Sequence, residues 1–106
     1  IYNEALGEYY VGFENHSGRT YIGDLSPLGK VLLGYGNNGQ DGYEGCVYKN
    51  TYCSYFHGSL LSKNPELSDR LLTTALSLKY GPVTLPPLED YYEHMAKKEL
   101  RKRYGK

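Results

Sequence analysis

Leu67, Leu71, Ala75 and Leu78 recur at the three- and four-residue spacing of one helix face, and Leu72 and Leu76 widen the stripe. Start and stop signals agree with that period. Asn64-Pro65-Glu66 supplies an N-cap residue, a proline whose missing N–H is harmless at the first helical position, and an acid where the helix dipole favours one. Lys79 falls in the last turn, Gly81 ends the helix and Pro82 prevents its continuation. A second helix is predicted over residues 89–104, acidic at its start and basic at its end. Its apolar content is thin, so it is expected on the surface or leaving the domain. The stiff Leu85-Pro86-Pro87 linker separates the two helices.

Upstream of the first helix the apolar runs have strand length and are broken by glycine. Residues 1–12 carry the β-rich run Tyr9-Tyr10-Val11, between Gly7 and Gly12. Residues 13–22 read as strand, tight turn and strand, with Asn15, Ser17 and Gly18 providing the turn. A loop with Pro27 follows over 24–29, then a strand over 30–35. Residues 36–42 form a glycine-rich connection, for which a flexible hairpin link is the expected reading. A strand over 43–48 then turns at Lys49-Asn50 into another over 51–56. That turn sets Tyr48 opposite Thr51 and Cys46 opposite Cys53. The last strand runs into His57-Gly58, and a short loop leads to the helix.

Composition narrows the field. At 106 residues the chain suffices for one domain with a modest core. The 12 basic and 12 acidic residues balance, so bulk attraction to nucleic acid has no support. No apolar run has the length of a membrane span, and no signal-peptide pattern opens the chain. A cytoplasmic location is the expectation. The chain opens at Ile1 without an initiator Met, which reads as a fragment. The tyrosine-rich, tryptophan-free composition supports half-buried strands before any ligand site.

The chemistry-bearing residues are few. Cys53 and His57 share a strand face, but four residues of strand span roughly 13 Å, beyond hydrogen-bond reach. A Cys46–Cys53 disulfide is conceivable in the hairpin, yet two small half-buried thiols are the favoured reading. The 36–42 stretch lacks both the lysine of a P-loop and the carboxylates of a calcium loop. His16, in a turn beside Glu14 and Arg19, is expected to satisfy local backbone groups. The basic cluster of Lys97, Lys98, Arg101, Lys102, Arg103 and Lys106 is read as a solvated, fraying helix end rather than an acidic-surface site. No metal site is expected. His57 stays open between catalysis and a structural loop role. A neutral imidazole there could act as a general base near pH 7. The position two residues on is Ser59, however, and the nearest downstream carboxylate is Glu66.

Two long motifs resemble a known family. They are Gly12-Phe13-Glu14-Asn15-His16-Ser17-Gly18-Arg19-Thr20 and the run from Glu44-Gly45-Cys46 through Tyr55-Phe56-His57-Gly58. Both are similar to signatures of the CobB/CobQ-like class I glutamine amidotransferases, and the match continues through Leu60-Leu61-Ser62-Lys63-Asn64-Pro65. Gly12-Phe13-Glu14-Asn15-His16 and Gly34-Tyr35-Gly36-Asn37-Asn38-Gly39 look most like the GatD-type group, the glutaminase subunits of lipid II isoglutaminyl synthases.

The resemblance implies the C-terminal portion of a flavodoxin-like α/β domain over residues 1–81, with 82–106 a linker and helical tail. The residues alone point only to an α+β arrangement rich in antiparallel strands. It implies a glutaminase in which His57 is catalytic, the nucleophilic cysteine lies outside this sequence, and the fragment alone is inactive. It also implies an orienting acid from a partner, since Ser59 stands where other class I enzymes carry glutamate. That partner would be a MurT-type, Mur-ligase-like synthetase, which holds the ATP and Mg while this subunit needs no cofactor. The amidated group would be the D-glutamate of lipid II. Two alternatives are an amidotransferase of corrinoid (cobyric or cobyrinic acid) synthesis and a non-catalytic relative that only binds a partner.

Overall fold

A computed structural model describes residues 1–57 and 59–104. Gly58 of the histidine motif and Lys106 of the basic cluster lie outside the described residues. Short strands occupy the first half: β1 (Tyr2–Asn3), β2 (Glu8–Tyr9), β3 (Phe13–Glu14), β4 (Gly29–Lys30), β5 (Tyr43–Glu44), β6 (Cys46–Tyr48), β7 (Thr51–Cys53) and β8 (Phe56–His57). Three helices follow, α1 (Leu60–Lys63), α2 (Pro65–Tyr80) and α3 (Tyr91–Arg103). The chain is a small α/β structure. Its described strands pair in one four-stranded sheet of order β2-β1-β4-β5 and two pairs, β3-β8 and β6-β7. Every one of these ladders is antiparallel.

The Lys49-Asn50 turn forms as expected, with Cys46 opposite Cys53 and Tyr48 opposite Thr51. Both thiols are free, Cys46 half-buried and Cys53 exposed. The expected 13–22 hairpin does not form. Phe13 and Glu14 pair instead with His57 and Phe56. A strand of two residues has too few ladder bonds to hold a local hairpin, so the distant partner wins on packing. The strand expected over 43–48 is divided at Gly45, which adopts φ +71°. A Cβ there would collide with the Cys53 carbonyl and the Leu28 side chain, so only glycine fits this crossing.

The 36–42 connection is not a flexible link. Asn37 and Asn38 are buried. Asn37 exchanges two hydrogen bonds with the Gly45 backbone, at 3.0 and 2.9 Å. Asn38 Oδ1 accepts the N–H groups of Gln40 and Asp41. The side chains thus supply the backbone partners that a ladder would otherwise supply.

The core is small: Ile1, Tyr10, Leu28 and Leu67, with Val31, Val47, Tyr52, Phe56, Leu60 and Leu71 packed against it. Helix α2 buries the N-terminal part of its stripe at Leu67 and Leu71, whereas Leu72 and Leu78 are exposed. Helix α3 lies on the surface, one of the two placements expected, with Lys97 its one buried residue among those described. It neither leaves the body nor presents its whole basic cluster to solvent. Lys97 is buried, its Nζ donating to Glu66 Oε2 at 3.0 Å and lying 5.4 Å from the Tyr10 ring centre. The Arg101 guanidinium lies 3.7 Å from the Tyr9 ring centre. The Lys97 stem and the cation–π contacts dock one face of a helix that is otherwise exposed, a contact that hydrophobic periodicity does not register.

Candidate active site

His57 is the last residue of β8 and is exposed. Its position follows from the β3–β8 ladder, in which it faces Phe13, their rings 6.0 Å apart and tilted by 58°. Cys53 belongs to a different two-stranded sheet, the β6–β7 pair. The chain leaves one sheet and enters the other through Ser54 and Tyr55, so Cys53 and His57 do not share one continuous strand. Among the described residues, no aspartate or glutamate forms an ion pair with His57.

The principal concavity, of about 830 Å³, runs alongside β3. Phe13, Glu14, His16, Arg19, Tyr35 and Arg101 are among the residues that line it. His57 does not line this groove. Its two aromatic neighbours Phe13 and Phe56 do. The groove and the histidine are therefore neighbours, linked by the β3–β8 ladder.

Glu14 fixes the groove's wall. Its carboxylate accepts the N–H of Gly36 at 2.6 Å and of Tyr35 at 3.1 Å. Gly36 adopts φ +74°, and a Cβ would collide with the Tyr43 carbonyl. His16 behaves as a histidine that satisfies local backbone. Its Nδ1 lies 2.8 Å from the Gly18 carbonyl oxygen, and its ring stacks on Tyr55 at 3.7 Å. The Tyr55 hydroxyl bonds in turn to Thr20 Oγ1.

The sequence did not reveal that Glu44 and Asn64 are buried, nor which groups they hold. Glu44 is fully buried, and its oxygens accept the Ser54 hydroxyl and the Tyr55 N–H. Asn64 is also fully buried. It accepts the Val11 N–H at 2.7 Å and donates to the carbonyls of Val11 and Leu60. Asn64 thus makes no side-chain cap bond to its own helix. The signals for Glu44 were an acid in an expected strand and its place at the head of the motif that ends in His57-Gly58. Among the described residues no cluster of histidine, cysteine, aspartate and glutamate could hold a metal ion. No described helix is long and apolar enough to cross a membrane.

The strands that carry His57 and the groove both fall within a stretch that matches a known family of domains. Residues 2–65 match the CobB/CobQ-like glutamine amidotransferase domain, and the chain belongs to that family. Among the chain's relatives are the GatD subunits of two bacteria. It is 53% identical over 92 residues to the GatD subunit of a glutamine-hydrolysing lipid II isoglutaminyl synthase from Streptococcus pneumoniae, covering 85% of this chain and 35% of that protein. It is 47% identical over 90 residues to the corresponding Staphylococcus aureus subunit, covering 85% of this chain and 37% of the relative. A probable cobyric acid synthase from Methanothermobacter thermautotrophicus is 41% identical over 58 residues, which is 55% of this chain and 12% of the archaeal protein. The chain thus spans little more than a third of the length of its GatD relatives.

Proposed function

We propose that these residues form the C-terminal part of the glutaminase subunit of a lipid II isoglutaminyl synthase. The observation that carries this is the 53% identity to a GatD subunit, which extends over 85% of the chain and beyond the 2–65 family match. Residues 1–81 complete a flavodoxin-like amidotransferase domain, and 82–106 form its linker and helical tail. Glutamine is hydrolysed in the whole protein, and the ammonia passes to a MurT-type synthetase that amidates the D-glutamate of lipid II. ATP and Mg belong to that partner, and the complex works in the cytoplasm.

In this reading a cysteine thiolate outside these residues attacks the side-chain amide carbon of glutamine. His57 carries the proton, delivering it to the departing nitrogen so that ammonia leaves. It then takes one from the water that cleaves the thioester to glutamate. The exposure of His57 supports this division, since its ring is open to groups from other segments. An acid from the partner would orient the imidazole. Cys46 and Cys53 serve neither as nucleophile nor as disulfide. Isolated residues 1–106 are expected to release no ammonia.

The test uses the full-length chain with its synthetase. His57→Gln should lower ammonia release from glutamine by about 10²- to 10⁴-fold, the usual worth of a general acid–base group, with little change in glutamine KM. Wild-type turnover in that variant would exclude the catalytic assignment. The cobyric acid synthase match favours corrinoid amidation as a second reading, over a shorter stretch of chain. Assay of both acceptors separates the two, and a protein with no glutaminase activity on either would be a partner-binding relative.

A further inference from the structure

We infer that Glu44 is a positioning residue for His57, acting through Ser54 and Tyr55. The inference rests on the catalytic reading of His57 given above. The chain must cross from the β6–β7 pair to the β3–β8 pair between Cys53 and Phe56. In that gap no ladder holds the backbone, and the last residue before the chain resumes as β8 is Tyr55. One side chain takes over. Glu44 Oε1 accepts the Tyr55 N–H at 2.9 Å, and Glu44 Oε2 accepts the Ser54 hydroxyl at 2.8 Å. Ser54 Oγ accepts the Phe56 N–H at 2.9 Å in its turn. Three consecutive residues immediately before His57 are thereby tied to one buried group.

The residue type follows from the donors. Two donors reach two different oxygens, so the group must accept at both. A carboxylate does this, whereas an amide presents one acceptor and one donor. Both bonds run to one buried side chain, at 2.8 and 2.9 Å, away from competing solvent. Glu44 is itself fixed, because β5 pairs with β4 at Gly29 opposite Glu44. Tyr55 is braced from its other end by His16 stacking and by Thr20. The register that sets His57 opposite Phe13 is thus transmitted from the main sheet through a carboxylate. Catalytic distances demand that kind of control, since a displacement of about 1 Å costs on the order of 10²-fold in rate.

The experiment uses the full-length chain with its synthetase partner. Glu44→Gln and Ser54→Ala should each lower glutaminase kcat by about 10- to 100-fold, with glutamine KM held within about twofold. Because the two act as one unit, the double variant should fall little further than Glu44→Gln alone. In the same folded variants the imidazole NMR signals of His57 should shift while those of His94, on α3, stay in place. Ser54→Ala carries the test if Glu44→Gln does not fold. Folded variants with wild-type kcat and an unmoved His57 signal overturn the inference. A loss in kcat that merely tracks the folded fraction overturns it too. Full activity in Glu44→Gln beside an inactive His57→Gln would remove the positioning role and leave the catalytic assignment of His57 intact. Activity in His57→Gln would remove the catalytic assignment first, and the role of Glu44 in the reaction with it.

Discussion

Asn64 shows how much one side chain can carry in a domain with so small a core. It stands where a helix cap is expected, and α2 does begin at the next residue. Its amide is spent elsewhere, on both backbone groups of Val11 and on the Leu60 carbonyl. Replacing it by alanine should cost about 2–3 kcal/mol, because the half-buried Val11 groups lose their partners as well as the bonds themselves. Urea unfolding of the variant against the wild type measures this. The cost of an ordinary exposed cap, nearer about 1 kcal/mol, would mean that the Val11 bonds contribute little. Gly45→Ala should be comparably severe, about 2–4 kcal/mol, since it combines left-handed strain with collision against Cys53 and Leu28. Its thermal midpoint gives the answer. In both cases the residue type was readable in the sequence, but the partner was not.

At the scale of elements, α3 is the informative case. Its docking depends on charge more than on apolar area. Glu66 receives Lys97 Nζ at 3.0 Å, and His94 Nδ1 lies 3.5 Å from its other oxygen. Partial burial pushes the Glu66 carboxyl upward, but the hydrogen bond from Lys97 and the nearby positive charges bring it below the usual glutamate value. A depressed carboxyl contributes stability that is fully present above its unfolded value of about 4.5 and is lost as pH falls through the lower folded value. Protection factors of α3 amides, with the intrinsic rate divided out, should therefore fall below about pH 4.5 before the rest of the chain opens. Lys97→Met, which keeps the stem and removes the charge, should weaken that acid dependence, leaving the part due to His94, and loosen docking by about 1–2 kcal/mol. An α3 whose exchange is indifferent to both changes would show that the aromatic contacts alone hold it. Tyr10 belongs to the same junction. Burial first, and its hydrogen bond to Glu8 second, push its phenol well above 10. Arg70 closes the junction by pairing with Glu8 at 2.6 Å.

For the molecule as a whole, the distribution of polar groups follows from the thinness of the core. Buried Asn3, Asn37, Asn38, Glu44 and Asn64 connect segments that the short strands cannot hold by ladders alone. The groove beside β3 is bounded on one side by the Glu14-anchored loop and on another by Leu100, Arg101 and Tyr104. Family membership gives this face its context, and the chain covers little more than a third of the GatD relatives. The proposed chemistry therefore belongs to the complete protein. Here the described residues contribute the histidine, the ladder that carries it and the groove wall.

The sequence by itself determined what local physics can determine. The repeat of Leu67 and Leu71, bounded by Asn64-Pro65 and Gly81, specified α2 almost to the residue. Lys49-Asn50 specified the register of its hairpin, because a tight turn leaves one pairing. The motifs around His16 and His57 were enough to indicate the family. Tertiary structure decided the remainder. It paired Phe13 with His57 in place of a local hairpin, divided the strand at Gly45, and seated α3 through Lys97 and Arg101. It also turned Glu44 inward to hold the chain before His57. Each of these depends on groups far apart along the chain. Strands of two or three residues have almost no pairing preference of their own, so which of them meet is set by side-chain bonds and packing that exist only in the assembled fold.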